Sequence, residues 1–393
     1  MTATTVARST AATATGPARA LPAWAYSNAA LLRLEYERVL TPSWQIVCHV
    51  NSIPRPGDYV TLDLGPESAF ALRDRDGSIR AFHNACRHRG ARLLDAAGQC
   101  AGAVTCPYHG WSYRLDGSLL GIPSRETFHG IDRAALGLVE ARVEIALGFV
   151  FVALGGDPPS VAATWKPFLD ELAPYRLEEM VPLGPITHED WDADWKIAMD
   201  NYLESYHVPI GHPGLNRMFT PDYADQHHAP TIARGVSWLR AQESPRWAER
   251  IYQRQVGRVV TGLPDDYRRC WRFYSALPNL GVDLFPEQMD FFQVIPRGPG
   301  RCTIRGGCFG HPDSRPEMRA LRSLGARLNG RVNAEDRSLC ARVQRGLQSG
   351  SYRPGPLSDI ERWMVEFHEL LERRIPEIRR PQPPASFAAA PSG

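Results

Sequence analysis

The chain has 393 residues, a formal net charge of +2 and 43% hydrophobic residues. That length accommodates two domains of ordinary size, each with its own core. The near-neutral balance excludes a polyanionic partner such as a nucleic acid, because the arginines are scattered among acids rather than gathered in a patch.

Residues 1–25 are expected to be disordered. The first twenty are Ala/Thr-rich and contain no acid. A transit peptide can look like this, but a disordered bacterial N-terminus fits better with the arginine-for-lysine skew, Lys166 and Lys196 being the only lysines. No apolar run approaches the roughly 20 residues of a membrane helix, so a soluble, cytoplasmic protein with no membrane partner is expected.

Asn28 to Val39 reads as one amphipathic helix that opens a first domain over residues 26–157. From Ser43 to Leu154 short strand-like runs follow, at 44–47, 59–62, 70–72, 79–82 and 148–152, with Gly/Asp/Pro turns between them. They predict a small all-β domain. Gly155 to Pro159 marks the boundary, and residues 158–380 read as α+β. Asp194 to Tyr206 is expected as a helix, with Trp195, Ala198, Met199 and Tyr202 on its apolar side. Strands are expected at 289–295 and 302–309, and helices at 315–347 and 358–375. Residues 381–393 are Pro/Ala-rich and read as a disordered tail. The chain has no P-loop, no nicotinamide or flavin fingerprint and no internal repeat.

Two short motifs carry the chemistry. Cys86-Arg87-His88-Arg89-Gly90 and Cys106-Pro107-Tyr108-His109-Gly110 each offer one thiolate and one imidazole on a tight turn. Proline fixes one backbone dihedral and glycine permits an unusual one, which suits loops that aim ligands at a point. A two-iron cluster with two cysteines on one iron and two histidines on the other needs this inventory. Imidazoles in place of two thiolates raise the cluster potential to roughly −150 to +300 mV, against about −400 mV for all-cysteine plant-type clusters. The rival, a zinc site, keeps its cysteines together and its histidines together, whereas here each half is mixed. Of the eight cysteines, Cys100 lies between the two motifs and is left out because the set is already complete. Cys48, Cys270, Cys302, Cys308 and Cys340 are dispersed and expected as buried thiols.

A further motif, for a second site, runs from Asp200 to Pro213 and holds His207 and His212. Two histidines five apart do not share a helix face. Pro209 and Gly211 are expected to break the helix after His207 and let His212 return from the following turn. Two histidines and one carboxylate make the facial set of an O2-activating mononuclear iron(II).

The stretch from Cys86 to Trp111 matches the Rieske motif, and with the segment around His207 it resembles the Rieske non-haem iron oxygenases, the ring-hydroxylating oxygenase alpha-subunit family. The resemblance spans roughly residues 35–375. It implies an α+β architecture: an N-terminal all-β Rieske domain, then a helix-grip-like catalytic domain with an antiparallel sheet. It implies a [2Fe–2S] cluster on Cys86, His88, Cys106 and His109, and a mononuclear Fe(II) on His207, His212 and a carboxylate from a late helix. Glu335-Asp336-Arg337 resembles that helix; the role carries over to Asp336, with Glu335 as the alternative. An acid before the first iron histidine links a Rieske histidine of a neighbouring subunit to an iron histidine, and that role falls to Glu204; either His88 or His109 can be its counterpart. Asp200 and Asn201 are further supporting candidates around the iron.

The resemblance also implies a homotrimer, in which electrons cross a subunit boundary, and a separate NAD(P)H-dependent reductase, with or without a ferredoxin. Aromatic-ring dioxygenases commonly have Asp where this chain has Glu204. That departure, with Gln344–Leu347 and Gly355-Pro356-Leu357, resembles the branch that oxidises choline, glycine betaine, carnitine or stachydrine. Phe219, Tyr223, Trp238, Trp271, Phe273, Tyr274, Phe285, Phe291 and Phe292 lie between the ligand segments, and an aromatic cage drawn from them would suit a quaternary ammonium. Hydroxylation or oxidative demethylation of such a small substrate is the expected reaction. The alternatives are an aromatic-ring dioxygenase or natural-product tailoring oxygenase, and an electron-transfer protein with a vestigial iron site.

Overall fold

Strict alternation along Asp58–Leu64 turns Asp58, Val60, Leu62 and Leu64 inward, so this segment forms a strand with one buried face. The computed structural model describes residues 17–220, 226–229 and 231–387. In it, Asp58–Leu64 pairs with Glu67–Arg73 and Ala97–Gln99, and Ile79–His83 completes a four-stranded antiparallel sheet. A second sheet joins Gln45–His49, Phe149–Ala153 and Arg142–Ala146; a third, of three short strands, joins Val104–Thr105, Ser112–Tyr113 and Leu119–Gly121. The β-rich first part therefore follows the sequence expectation.

The second part is built on an eight-stranded antiparallel sheet. Its long central hairpin is Met289–Gly298 with Arg301–Gly310, followed on one side by Leu280–Leu284, Cys270–Ala276, Ile232–Trp238 and Gln226–Ala229. Val181–Pro182 and Thr187–Trp191 pair along the other edge of Arg301–Gly310. Helices Trp195–Tyr202, Pro316–Leu347 and Arg362–Arg374 complete the domain. Among the described residues no helix is long and apolar enough to cross a membrane.

Three expectations need correction. The opening helix is regular only over Ala29–Glu35 and widens into a π turn over Tyr36–Leu40. The helix expected to reach Tyr206 ends at Tyr202. Beyond it, the Glu204 carboxylate takes the His207 backbone N–H (3.0 Å), a local bond that competes with the helical ladder. Pro209 then sits in the first turn of the short helix Val208–Gly211, where a missing N–H costs nothing, so it starts a helical turn instead of breaking one.

The third correction concerns the termini. Residues 1–16 and 388–393 lie outside the described residues, but the segments next to them are docked. Leu21 and Ala25 are buried, and the Ala20 N–H donates to the Gly355 carbonyl. Phe387 is buried with its ring 6.0 Å from that of Trp24, and its carbonyl accepts from Asn28 Nδ2. Composition suggested disorder at both ends; two large apolar side chains, Leu21 and Phe387, find a core there instead.

Two buried polar clusters fix the parts together. Lys196 Nζ lies 2.7 Å from Glu35 Oε1 and 2.7 Å from Asp194 Oδ1, and all three side chains are sealed from solvent. Burial works to lower the Lys196 pKa, but Asp194 and Glu35 outweigh it and hold the ammonium charged. Trp195 Nε1 donates to the other Glu35 oxygen (2.8 Å), and the Gln344 amide oxygen accepts from the Asp194 N–H (2.7 Å). Elsewhere Gln45 and Asn279 exchange side-chain amide bonds, Gln293 donates to Gln45, and Arg305 donates to Gln293 and to the Ile46 and Val47 carbonyls. Burial lowers the Arg305 pKa to about 10, since carbonyl oxygens stand where a carboxylate would.

Removing one partner of a buried ion cluster leaves charge uncompensated, at a cost of about 3–5 kcal/mol. Lys196→Met is therefore expected to lower stability by about that amount, read from the urea midpoint, while Arg337→Met, at an exposed pair with Glu189, changes it by less than about 1 kcal/mol. Equal effects of the two substitutions would contradict the role given to Lys196.

Candidate functional site

The two cysteine–histidine loops share one backbone design. In the first, the Cys86 N–H donates to the Ala91 carbonyl (2.8 Å) and the Gly90 N–H to the Cys86 carbonyl (2.9 Å). In the second, the Cys106 N–H donates to the Trp111 carbonyl (2.7 Å) and the Gly110 N–H to the Cys106 carbonyl (3.1 Å). Gly90 and Gly110 both have φ of +73°, the left-handed region that glycine enters without strain. Equal turns from two tips bring the His88 and His109 rings to a centroid distance of 4.8 Å, with both cysteines buried.

The environment is asymmetric. His88 stacks on Trp111 at 5.0 Å and meets Phe128 edge-on, whereas His109 is exposed beside Tyr108. His88 Nδ1 is buried and has no hydrogen-bond partner, a state a metal bond would relieve. Burial raises the Cys86 thiol pKa, and the Tyr113 hydroxyl stands 3.2 Å from its sulfur. Two buried thiols, one orphaned ring nitrogen and a second imidazole beside it fit a [2Fe–2S] cluster.

The second site forms where the turn after Tyr202 meets the helix Pro316–Leu347. Nε2 atoms of His207 and His212 approach to 3.1 Å, and Asp336 Oδ1 lies 2.9 Å from His212 Nε2 and 3.6 Å from His207 Nε2. The three ligand atoms fall within 4.8 Å of one another. Each outer ring nitrogen is held by a carboxylate: His207 Nδ1 by Glu204 Oε1 (2.6 Å), His212 Nδ1 by Glu335 Oε2 (3.0 Å). With a proton on each Nδ1, both Nε2 lone pairs converge beside Asp336. Asn201 Nδ2 donates to Asp336 Oδ1 (2.8 Å) and fixes that carboxylate.

Electrostatics describe the same point. Burial works to lower the His207 pKa, yet Asp336 and Glu204 carry it up to about 9. Burial works to raise the Asp336 pKa, yet His207 and His212 pull it down to about 2. Carboxylates crowded around two imidazoles favour a positive charge there, which suits a divalent cation as well as protons.

A cavity of about 310 Å³ opens from these donors onto the sheet. Its floor includes a row of residues in register on five adjacent strands: Gly235, Phe273, Asp283, Asp290 and Cys308. Directly opposed residues face the same side of a sheet, so the row points one way. Tyr202, at the end of the metal-site helix, donates to Asp283 Oδ1 (2.6 Å) and ties the floor to the site. Gly281 leaves room for Phe292, whose ring fills the space that a Cβ would need.

Most of the residues expected from sequence meet here, with three departures. Asp200 bonds Tyr26 (2.9 Å) and His368 (2.8 Å) instead of the metal-site groups. Cys308 is not a buried thiol; it is exposed, onto the cavity. Of the aromatics, Phe219, Trp271, Phe273, Phe285, Phe291 and Phe292 line the cavity, Tyr274 packs in a core cluster with Phe168, Trp238 is partly exposed, and Tyr223 lies outside the described residues. Sequence reading missed Glu335 as a partner of His212, and Asp283 and Asp290 altogether. A signal for the latter existed: single acids inside apolar strands, Val282-Asp283-Leu284 and Met289-Asp290-Phe291.

Comparison with known proteins agrees with the geometry. The Rieske [2Fe-2S] domain family matches residues 43–137. The ring hydroxylating alpha subunit (catalytic domain) family matches residues 177–377, just over half of the chain. The glycine betaine monooxygenase oxygenase subunit of Chromohalobacter salexigens is 29% identical over 364 residues, covering 86% of this chain and 81% of that protein. The chloroplastic choline monooxygenase of Spinacia oleracea is 28% identical over 362 residues, covering 89% and 77%. A solved quaternary ammonium Rieske monooxygenase, studied for carnitine oxidation by gut microbiota and inter-subunit electron transfer, shares the fold, with a TM-score of 0.77 at 24% identity over 91% of this chain and 96% of that one. The chain belongs to the ring-hydroxylating oxygenase alpha-subunit family: it is a Rieske oxygenase, with a [2Fe–2S] domain followed by a mononuclear iron domain.

Proposed function

We propose that the chain is the oxygenase component of a monooxygenase that hydroxylates or oxidatively N-demethylates a small quaternary ammonium compound or related amine. The observation that carries this reading is the cavity, which begins at His207, His212 and Asp336 and is walled by Trp271, Phe273, Phe285 and Phe292. Aromatic faces attract an ammonium group by cation–π interaction. The glycine betaine and choline monooxygenases named above act on such compounds, which supports the same substrate class here.

Cys86, His88, Cys106 and His109 would hold the cluster, and His207, His212 and Asp336 the iron. When bound, these groups supply single electrons and O2 activation. The residues of the chain do the rest. Glu204 and Glu335 orient the two iron histidines, and Asn201 holds Asp336. The apolar wall excludes water from the substrate. The chain carries no nicotinamide or flavin motif, which supports a separate NAD(P)H reductase as electron source. The complete donor set speaks against a vestigial iron site.

A homotrimer with electron transfer between subunits suits the surface. His109 is the outward Rieske histidine and Glu204 the acid that holds the outer nitrogen of His207, so the pair His109–Glu204 is the contact we favour over His88–Glu204. Each is flanked by exposed apolar side chains, Tyr108 beside His109 and Tyr206 and Ile210 beside His207, with Ile210 87% exposed. Apolar surface of this kind is what an interface covers.

Three measurements test the reading. Reductase-coupled turnover with a panel of betaines and amines should give formaldehyde or a hydroxylated product; cis-diol formation from an arene with every ammonium compound ignored would favour a dioxygenase instead. His207→Ala should remove the mononuclear iron and all turnover while the visible spectrum of the cluster persists; retention of that iron would refute the ligand assignment. Iron binding must displace the proton that His207 holds up to about pH 9, so apparent Fe(II) affinity should rise about tenfold per pH unit from 7 to 9 in a chelator competition, and a flat profile would contradict it. For the assembly, Ile210→Asp should yield monomers in light scattering and lose coupled turnover, with both metal sites loaded; an intact trimer would exclude this face as the interface.

A further inference from the structure

The cavity floor carries two acids that no metal-site role explains. Asp283 and Asp290 are direct cross-strand partners, so their carboxylates lie side by side on one face. Their neighbours in sequence, Val282, Leu284, Met289 and Phe291, are buried, while Asp283 and Asp290 keep accessible surface, and both line the cavity. The surface they expose is therefore cavity wall. Tyr202 donates to Asp283 Oδ1 and Gln288 to Asp290 Oδ1, and the Cys308 thiol hydrogen-bonds Asp290 as well. Burial pushes the Asp283 carboxyl up to about 7 and that of Asp290 up to about 6, the signature of acids with no cation beside them.

The sheet floor supplies no such cation. Apart from the metal-site histidines His207 and His212, the described lining includes one basic side chain, Arg234. Arg234 is opposed to Tyr274, one position off the Gly235–Phe273 row, so it sits on the opposite face of the sheet. There three hydrogen bonds of 2.7–3.0 Å commit its guanidinium to Glu171. Residues 221–230 contain no lysine or arginine in sequence. A second observation points to a ligand. Ser237, two residues along its strand from Gly235 and so on the same side as the row, is 1% exposed, lines the cavity, and its hydroxyl has no hydrogen-bond partner. A buried hydroxyl left unpaired is destabilising unless a ligand meets it.

We propose that Asp283 and Asp290 read the charge of the substrate, and that this enzyme takes a small monocation without a carboxylate, an amino alcohol or its quaternary ammonium form, with Ser237 meeting the neutral polar end. This rests on the ammonium reading above and narrows it. A zwitterion such as a betaine brings a carboxylate against a floor that already holds two and, away from the metal site, offers no cation to meet it. A monocation balances the pair and leaves aromatic faces for its methyl groups.

Matched ligands test this on the holoenzyme. Choline and glycine betaine share a trimethylammonium group and differ in a hydroxymethyl against a carboxylate. 3,3-Dimethyl-1-butanol has the shape of choline without the charge, and N,N-dimethylethanolamine is the protonated tertiary counterpart. Equilibrium dissociation constants should place choline or dimethylethanolamine at least about tenfold tighter than both glycine betaine and dimethylbutanol. Asp283→Asn and Asp290→Asn, checked for unchanged cluster spectrum and iron content, should each bring the choline-to-betaine ratio towards one. Betaine binding as tightly as choline, or the neutral alcohol doing so, would overturn the proposal on the wild-type protein alone. An unchanged ratio in both variants would do the same. Absence of oxidation with any ammonium compound sinks the broader reading instead, and is distinguished because the order of binding constants is measured without turnover.

Discussion

A buried lysine sets where the chemistry happens. Lys196 is held between Glu35 of the opening helix and Asp194 at the start of the helix Trp195–Tyr202. Asp194 also caps that helix through the Lys196 N–H, and its own N–H is taken by Gln344 of the long helix that carries Asp336. One cluster thus fixes the helix that leads to His207 and His212, the helix that bears the carboxylate, and the segment that leads into the Rieske domain. Metal ligands tolerate errors of only a few tenths of an ångström, so the rigidity of a fully bonded ionic cluster is put to use here.

Around the metal donors the same economy recurs. Every ligand has a dedicated partner: Glu204 and Glu335 on the outer nitrogens of the histidines, Asn201 on Asp336. Two carboxylates accept hydrogen bonds from Nδ1–H on the far side of the rings, so that the near side is left with lone pairs. The helix reaches the sheet through Tyr202, which bonds Asp283 and so links the ligand helix to the cavity floor.

How much could be read from the sequence differs by site. The cluster loops were legible because their turns are local: cysteine, histidine and glycine at short spacing define both ligand and backbone. His207 and His212 were legible as donors, though the helix around them was drawn too long, because the bond from Glu204 that ends it is a side-chain effect. The adjacent acids Glu335 and Asp336 could not be separated by spacing from the histidines. Helical periodicity held the answer, since Asp336 stands one turn before the buried Cys340 and two before the buried Gln344, on the inward face. Asp283 and Asp290 became visible only when the sheet register placed them opposite each other. The termini were misjudged because composition averages over the single large side chains that anchor them.

The two cluster loops have the same backbone but opposite surroundings: His88 is walled in by Trp111 and Phe128, and His109 stands in the open. On the reading proposed above, a partner that reaches the cluster through its more exposed histidine meets it at His109, beside Tyr108. The stacking of Trp111 on His88 thereby leaves His109 as the open side of the pair.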